Sequence, residues 1–142
     1  MSYLLDTNVV SELRKSRPDP NVAAWFHAVR SAELYLSVLT IGEIRMGVER
    51  LRRKDKAQAR HIEQWLTGLH STYRDRLVGI DARTAEEWGR LNVPDQLPVI
   101  DGLLAASAKV RDWTLATRNT ADLARSGVRL VNPFDSPAPG IQ

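Results

Sequence analysis

Cysteine is absent from the 142-residue chain. That absence removes a disulfide scaffold, a thiolate nucleophile and a cysteine-ligated zinc site. Long apolar runs are missing as well. The chain opens Met1-Ser2-Tyr3-Leu4-Leu5-Asp6 and meets an acid before any run suited to a secretory signal, and no stretch approaches transmembrane length. A cytoplasmic address without a membrane partner is the expectation. Histidine is scarce: His27, His61 and His70 fall in predicted helices, far in sequence from the acidic segments. They read as structural or exposed, and no Ser-His-Asp grouping or histidine pair is in view. An interleaved basic–aromatic stretch of the kind found on RNA-reading sheets is also lacking. The four tryptophans, Trp25, Trp65, Trp88 and Trp113, sit in or at the ends of amphipathic helices and read as core or interface anchors.

What is present fits one soluble globular unit, with 43% hydrophobic and 26% charged residues. The balance is mildly basic, with a net charge of +3 and a pI near 9.6. It is compatible with a polyanionic partner without demanding one. Lys and Arg concentrate between Arg45 and Arg60, while acids stand at the ends of apolar segments.

The apolar pattern alternates between strand and helix. Tyr3-Leu4-Leu5, Leu34-Tyr35-Leu36, Leu77 to Ile80, Thr114-Leu115-Ala116 and Val128 to Val131 read as short strands. Helices are expected from Thr7 or Asn8, after Asn21 as a cap, from Thr40, over residues 57–74, from Thr84 to Leu91, and from Val99 onward. From Thr40 the apolar stripe is Ile41, Ile44, Val48 and Leu51. Such alternation predicts an α/β chain with a mostly parallel sheet of four to five strands covered on both faces. A single domain over residues 1–135 and a loose tail from Ser136 to Gln142 complete the expected layout. Ligands of parallel sheets bind beyond the carboxyl ends of the strands. Asp6 and Asn119 both follow predicted strands and are expected at that edge.

Four segments set an acid or amide against apolar residues: Leu4 to Asn8, Thr40 to Ile44, Val99 to Leu103, and Thr117 to Leu123. A carboxylate so near a core is costly unless it is paired or holds a cation. Oxygen ligands suit Mg²⁺ or Mn²⁺. Each residue also has a plainer role. Asp6 fits a helix cap, Glu43 a solvated helix flank, Asp101 an acid favoured in a first helical turn, and Asn119 and Asp122 the capping of a short helix. Taken singly, none is specific.

Their order along the chain is specific. Leu5-Asp6-Thr7-Asn8-Val9-Val10-Ser11-Glu12, Ser37 to Ile44, Ile100 to Ala106, Ala116 to Leu123 and the closing Gly127 to Phe134 resemble the PIN-domain family, and within it VapC-type toxins of the FitB-like branch. The resemblance implies a three-layer α/β/α sandwich and a ribonuclease requiring Mg²⁺ or Mn²⁺. It places Asp6, Glu43 and Asp101 at the three core acidic positions, with Asn119 at a fourth where many relatives carry aspartate and Asp122 three residues on. On this basis Asp6 and Asp101 hold the principal ion, and Glu43 binds a second ion or orients the attacking water. Thr7, Asn8 and Thr117 position ligands and phosphate. The resemblance further implies the toxin half of a type II toxin–antitoxin pair, a homodimer, and a cognate antitoxin protein as inhibitor of RNA cleavage. Apolar faces of residues 22–29 and 41–51 are expected docking surfaces. The basic stretch around Arg52 and Arg53 reads first as cations at a helix C-terminus and second as phosphate contacts.

Two other classes stay open from residues alone. A receiver-like phosphoacceptor needs a lysine in the late turn, where this chain has Thr117-Arg118-Asn119. A non-catalytic scaffold with a degenerate site is kept in play by Asn119.

Overall fold

The computed structural model describes residues 1–135; the tail expected from Ser136 lies outside them. Five short strands form one all-parallel sheet in the order β3-β2-β1-β4-β5. They are β1 (Tyr3–Leu5), β2 (Leu34–Ser37), β3 (Leu77–Val78), β4 (Thr114–Ala116) and β5 (Arg129–Val131). The central strand β1 pairs Tyr3 with Leu34 of β2 on one side and Leu5 with Ala116 of β4 on the other.

Successive side chains of a strand point to opposite faces, and here that alternation splits the interior in two. Leu5, Leu34, Leu36 and Ala116 pack into one cluster with Val9, Val22, Trp25, Ile44 and Leu66. Leu4 and Leu115 pack into the other with Leu91, Leu104, Ala105, Ala108 and Leu123. The first cluster is roofed by α1 (Thr7–Arg14), α2 (Pro20–Ala28), α3 (Val38–Arg52) and α4 (Lys56–Thr72). The second is roofed by α5 (Ala82–Leu91), α6 (Val99–Val110) and α7 (Thr120–Leu123). This is the three-layer α/β/α sandwich that the resemblance implies, with the sheet covered on both faces as the alternation predicts.

Helix starts show where local chemistry overrode the simple pattern. Asp19, not Asn21, caps α2, accepting from the Asn21 and Val22 N–H groups. Proline is preorganised for a first helical position and gives up an N–H that would have no helical partner there. Pro20 therefore makes its predecessor the cap, and the Asn21 amide donates instead to the Phe134 carbonyl at 2.9 Å. Helix α3 starts at Val38, two residues before Thr40, because the buried Ser37 hydroxyl accepts the Leu39 N–H at 3.0 Å.

The expected docking faces on residues 22–29 and 41–51 are corrected by the packing. Val22, Trp25, Ile44 and Val48 are interior, because α2 and α3 turn their apolar stripes onto the sheet and α4. The exposed apolar side chains of α3 are Val38 and Met46. Phe26 is half-buried at a cavity of about 340 Å³ shared with Leu13, Trp65, Leu69 and Tyr73.

Gly102 fixes the approach of α6 to α5. A Cβ there would lie 3.3 Å from Leu97 Cβ and 3.4 Å from two atoms of the Trp88 indole. Overpacking a well-filled core costs about 1–3 kcal/mol. Gly102→Val is therefore expected to lower Tm by several degrees in a thermal melt, despite the poor helix propensity of glycine. An unchanged melt would mean that α5 and α6 are not locked at this point.

A candidate acidic active site

The strand register decides where the acids go. Asp6 is the first residue beyond β1, and its backbone N–H still donates to the Ala116 carbonyl of β4 at 2.9 Å. The side chain is only 4% exposed, yet its charge is well provided for. Oδ1 accepts the Thr7 N–H at 2.6 Å, so Asp6 also caps α1. Oδ2 accepts the Thr117 hydroxyl at 2.7 Å and the Asn8 amide at 3.3 Å. Burial raises the Asp6 pKa above the ordinary aspartate value. The Thr117 and Thr7 hydrogen bonds oppose that rise, while the negative charges of Asp101 and Glu43 add to it.

Glu43 arrives from α3 on the next strand over. Its Oε1 accepts the Thr7 hydroxyl at 2.5 Å, and the Thr7 oxygen lies 3.1 Å from that of the fully buried Thr40. Asp101 arrives from the first turn of α6 and is half-buried. Its pKa is raised chiefly by burial; the Asn119 amide, 3.4 Å from Oδ2, opposes this, and the charges of Glu43 and Asp122 reinforce it. Thr117 joins the parts, giving its proton to Asp6 and accepting the Asn119 N–H at 3.0 Å. Asn8 adds a second tie through Oδ1, which accepts the Arg118 N–H at 3.3 Å.

Asp6, Glu43 and Asp101 thus share one edge and feel one another's charge. Asn119 touches Asp101 directly, while Asp122 is exposed and acts on Asp101 only through its charge. Thr7, Asn8 and Thr117 each donate a hydrogen bond to one or two of these acids. Among the described residues no three carboxylates converge closely enough to ligate one ion together. The donors that do face the edge are all oxygens. Each carboxylate oxygen offers two lone pairs, so Asp6 Oδ1 retains one beyond the Thr7 N–H. Two carboxylates completed by waters are a set suited to Mg²⁺ or Mn²⁺.

Arg52 is placed differently from a free phosphate contact. Its guanidinium lies 2.9 Å from Glu63 and 3.2 Å from Glu49, and Arg45 pairs with the same two acids at 2.6 and 3.1 Å. This four-residue network ties α3 to α4. Arg53 caps the end of α3 and is exposed, about 15 Å along the helix axis from Glu43 at 1.5 Å per residue. The three histidines are exposed and none lies among the acids.

Thr40, Arg14 and Trp65 were not singled out by sequence reasoning as site residues. Thr40 supports Thr7, and the other two line a second cavity, of about 190 Å³, that Thr7 and Glu43 also line. For Thr40 a signal existed in the hydroxyl three residues before Glu43, but it reads as a capping box. Arg14 and Trp65 carry no signal until α1 and α4 are brought together.

The profile of the PIN domain matches residues 3–127. The chain belongs to the PIN-domain family. This PIN domain is 31% identical over 138 residues to toxin FitB of Neisseria gonorrhoeae, covering 92% of the chain and 97% of that protein. It is 31% identical over 140 residues to a VapC ribonuclease of Sinorhizobium fredii, covering 93% and 97%. It superposes on the crystal structure of FitAcB from Neisseria gonorrhoeae with a TM-score of 0.82 and 30% identity, covering 93% of this chain and 98% of that one.

The raised pKa values make the PIN-domain site a stability liability at neutral pH. An acid whose pKa is higher folded than unfolded stabilises the fold while protonated, below its unfolded value near 3.9. That contribution disappears as pH rises through the folded value. In EDTA, Asp101→Asn is therefore expected to raise Tm at about pH 7, with the gain vanishing toward about pH 3.5. A gain that is the same at both pH values would show that ionisation of Asp101 is not its source.

Proposed function

We propose that this PIN domain is a metal-dependent endoribonuclease and the toxin of a type II toxin–antitoxin pair. The observation that carries the reading is the buried Asp6 carboxylate, set with Asp101 and Glu43 at the carboxyl edge of the parallel sheet. Relatives named as a toxin and as a ribonuclease, matched over nearly their whole lengths, support it.

Asp6 and Asp101 would hold a Mg²⁺ or Mn²⁺ ion, with Asn119 oriented toward Asp101 and Asp122 contributing charge from outside. When bound, the ion supplies an activated water and charge relief on the phosphate. The chain's own residues do the rest. Thr117, Asn8 and the Thr7 N–H fix both oxygens of Asp6, so its ligand geometry needs no rearrangement. The Thr7 hydroxyl holds Glu43 Oε1, leaving Oε2 to orient the attacking water. The exposed Arg53 attracts the RNA backbone, whereas Arg52 serves mainly to tie α3 to α4.

Residues 1–135 act as one unit, as a homodimer held in check by a cognate antitoxin; the relative named toxin FitB, matched over 97% of its length, supports the toxin half of that pair. No helix among the described residues is long and apolar enough to cross a membrane, and a cytoplasmic site of action suits an RNA substrate.

Purified protein incubated with structured RNA is expected to cut it in Mg²⁺ or Mn²⁺ and to stop in EDTA. Asp6→Asn and Asp101→Asn are each expected to reduce the rate by at least about a hundredfold, the scale on which loss of ligand geometry is felt. Millimolar Mg²⁺ should raise the Tm of the wild type and not of Asp6→Asn. Cleavage that survives chelation, or either substitution, overturns the mechanism.

Arg53→Glu is expected to weaken RNA binding and to lower the slope of log affinity against log salt by about one. An unchanged slope would remove Arg53 from the RNA path.

A further inference from the structure

Beside the acids lies the 190 Å³ cavity bounded by Thr7, Ser11 and Arg14 of α1, by Glu43, Ile44 and Gly47 of α3, and by Ile62 and Trp65 of α4. It shares Thr7 and Glu43 with the acidic edge, so whatever fills it is adjacent to the reacting phosphate. Its walls combine flat and apolar surfaces, from Trp65, Ile62 and Ile44, with polar groups from Ser11 and Glu43. Arg14 stands exposed at its mouth, 5.9 Å from the centre of the Trp65 ring. That separation is at the outer limit of a cation–π contact, so the guanidinium is held loosely and can turn to a phosphate. Gly47 keeps the α3 wall open, since a Cβ there would meet nothing within 4 Å.

We infer that this cavity is the subsite for a nucleobase of the RNA substrate, next to the scissile phosphate. Trp65 supplies a stacking surface, Arg14 contacts the neighbouring phosphate, and Ser11 meets the edge of the base. Aromatic stacking is tolerant of base identity, whereas the Ser11 hydroxyl, fixed on the wall of the cavity, favours bases that present a polar edge atom there. The subsite therefore biases which nucleotide flanks the cut. A cavity of about 190 Å³ with one aromatic wall, Trp65, suits a single base better than an extended peptide. This inference rests on the ribonuclease reading and extends it to substrate choice.

The test uses the full chain. Gly47→Leu extends into the cavity from a position where a Cβ meets nothing within 4 Å and where glycine weakens the helix, so its Tm should be equal to or above that of the wild type. Cleavage of a randomised oligoribonucleotide pool, read by sequencing the ends, is expected to show a nucleotide bias beside the cut in the wild type. In Gly47→Leu the bias should be lost and KM should rise on the order of tenfold, the scale of losing one stacked base, with kcat changed much less. Binding is measured separately by tryptophan fluorescence in the Asp6→Asn background, with a short oligoribonucleotide as the probe. Quenching should appear there and be absent after Trp65→Phe or Gly47→Leu. Wild-type protein that cuts no RNA but shows Trp65 quenching would sink the ribonuclease reading and keep the base pocket. An unchanged bias and KM in Gly47→Leu overturn the pocket, as does a loss confined to antitoxin affinity, which would assign the cavity to a protein side chain.

Discussion

Everything distinctive about this molecule depends on holding a carboxyl group where it is nearly out of water. Asp6 meets that constraint with three donors drawn from the chain around it: the Thr7 N–H, the Asn8 amide and the Thr117 hydroxyl. A buried ion without such partners would simply take up a proton. The donors do not remove the penalty, since burial still raises the Asp6 pKa. They fix its geometry. The Thr117 hydrogen bond also joins the ends of β1 and β4, so the sheet and the site share that contact.

That sharing explains the division of labour among the hydroxyls. Thr117 accepts from the backbone of Asn119 while giving its proton to Asp6, and thereby aims the late turn at Asp101. Thr7 has its backbone on Asp6 and its hydroxyl on Glu43, so one residue sets the positions of two acids. Asn119 offers an amide where a fourth carboxylate would add repulsion to an already strained group. The edge is in this way less negative than four acids would make it, and Asp122 supplies its charge from the outside.

Much of this was legible in the residues. The apolar run Tyr3-Leu4-Leu5 stopping at Asp6, and its counterpart Thr114-Leu115-Ala116 stopping at Thr117, locate two strands and their shared edge, while their pairing as neighbours comes from the fold. The strand–helix alternation yields the layers, because Leu4 and Leu5 must face opposite sides. Helix starts were less readable, since Asp19 with Pro20 and Ser37 before Val38 compete with the neighbours that look like caps. Partners across the fold were hidden altogether. Nothing near Arg52 announces Glu63, eleven residues away on the next helix, and nothing near Thr7 announces Glu43. Periodicity tells which face a side chain takes, while contact between faces is settled only by packing.

The ladder at the middle of the sheet also sets a timetable for synthesis. Thr117 lies 111 residues after the carboxylate it serves, and the strand that pairs with β1 on that side starts at Thr114. Translation at 5–20 residues per second separates the two by roughly 5–20 s. Until the later segment emerges, Asp6 lacks the hydroxyl that holds it and Asp101 lacks the neighbouring amide. A polypeptide interrupted before Thr114 would carry Asp6, Glu43 and Asp101, yet it would lack the Thr117 hydroxyl and the Asn119 amide that complete their edge, so the site is finished only when the last strands are made.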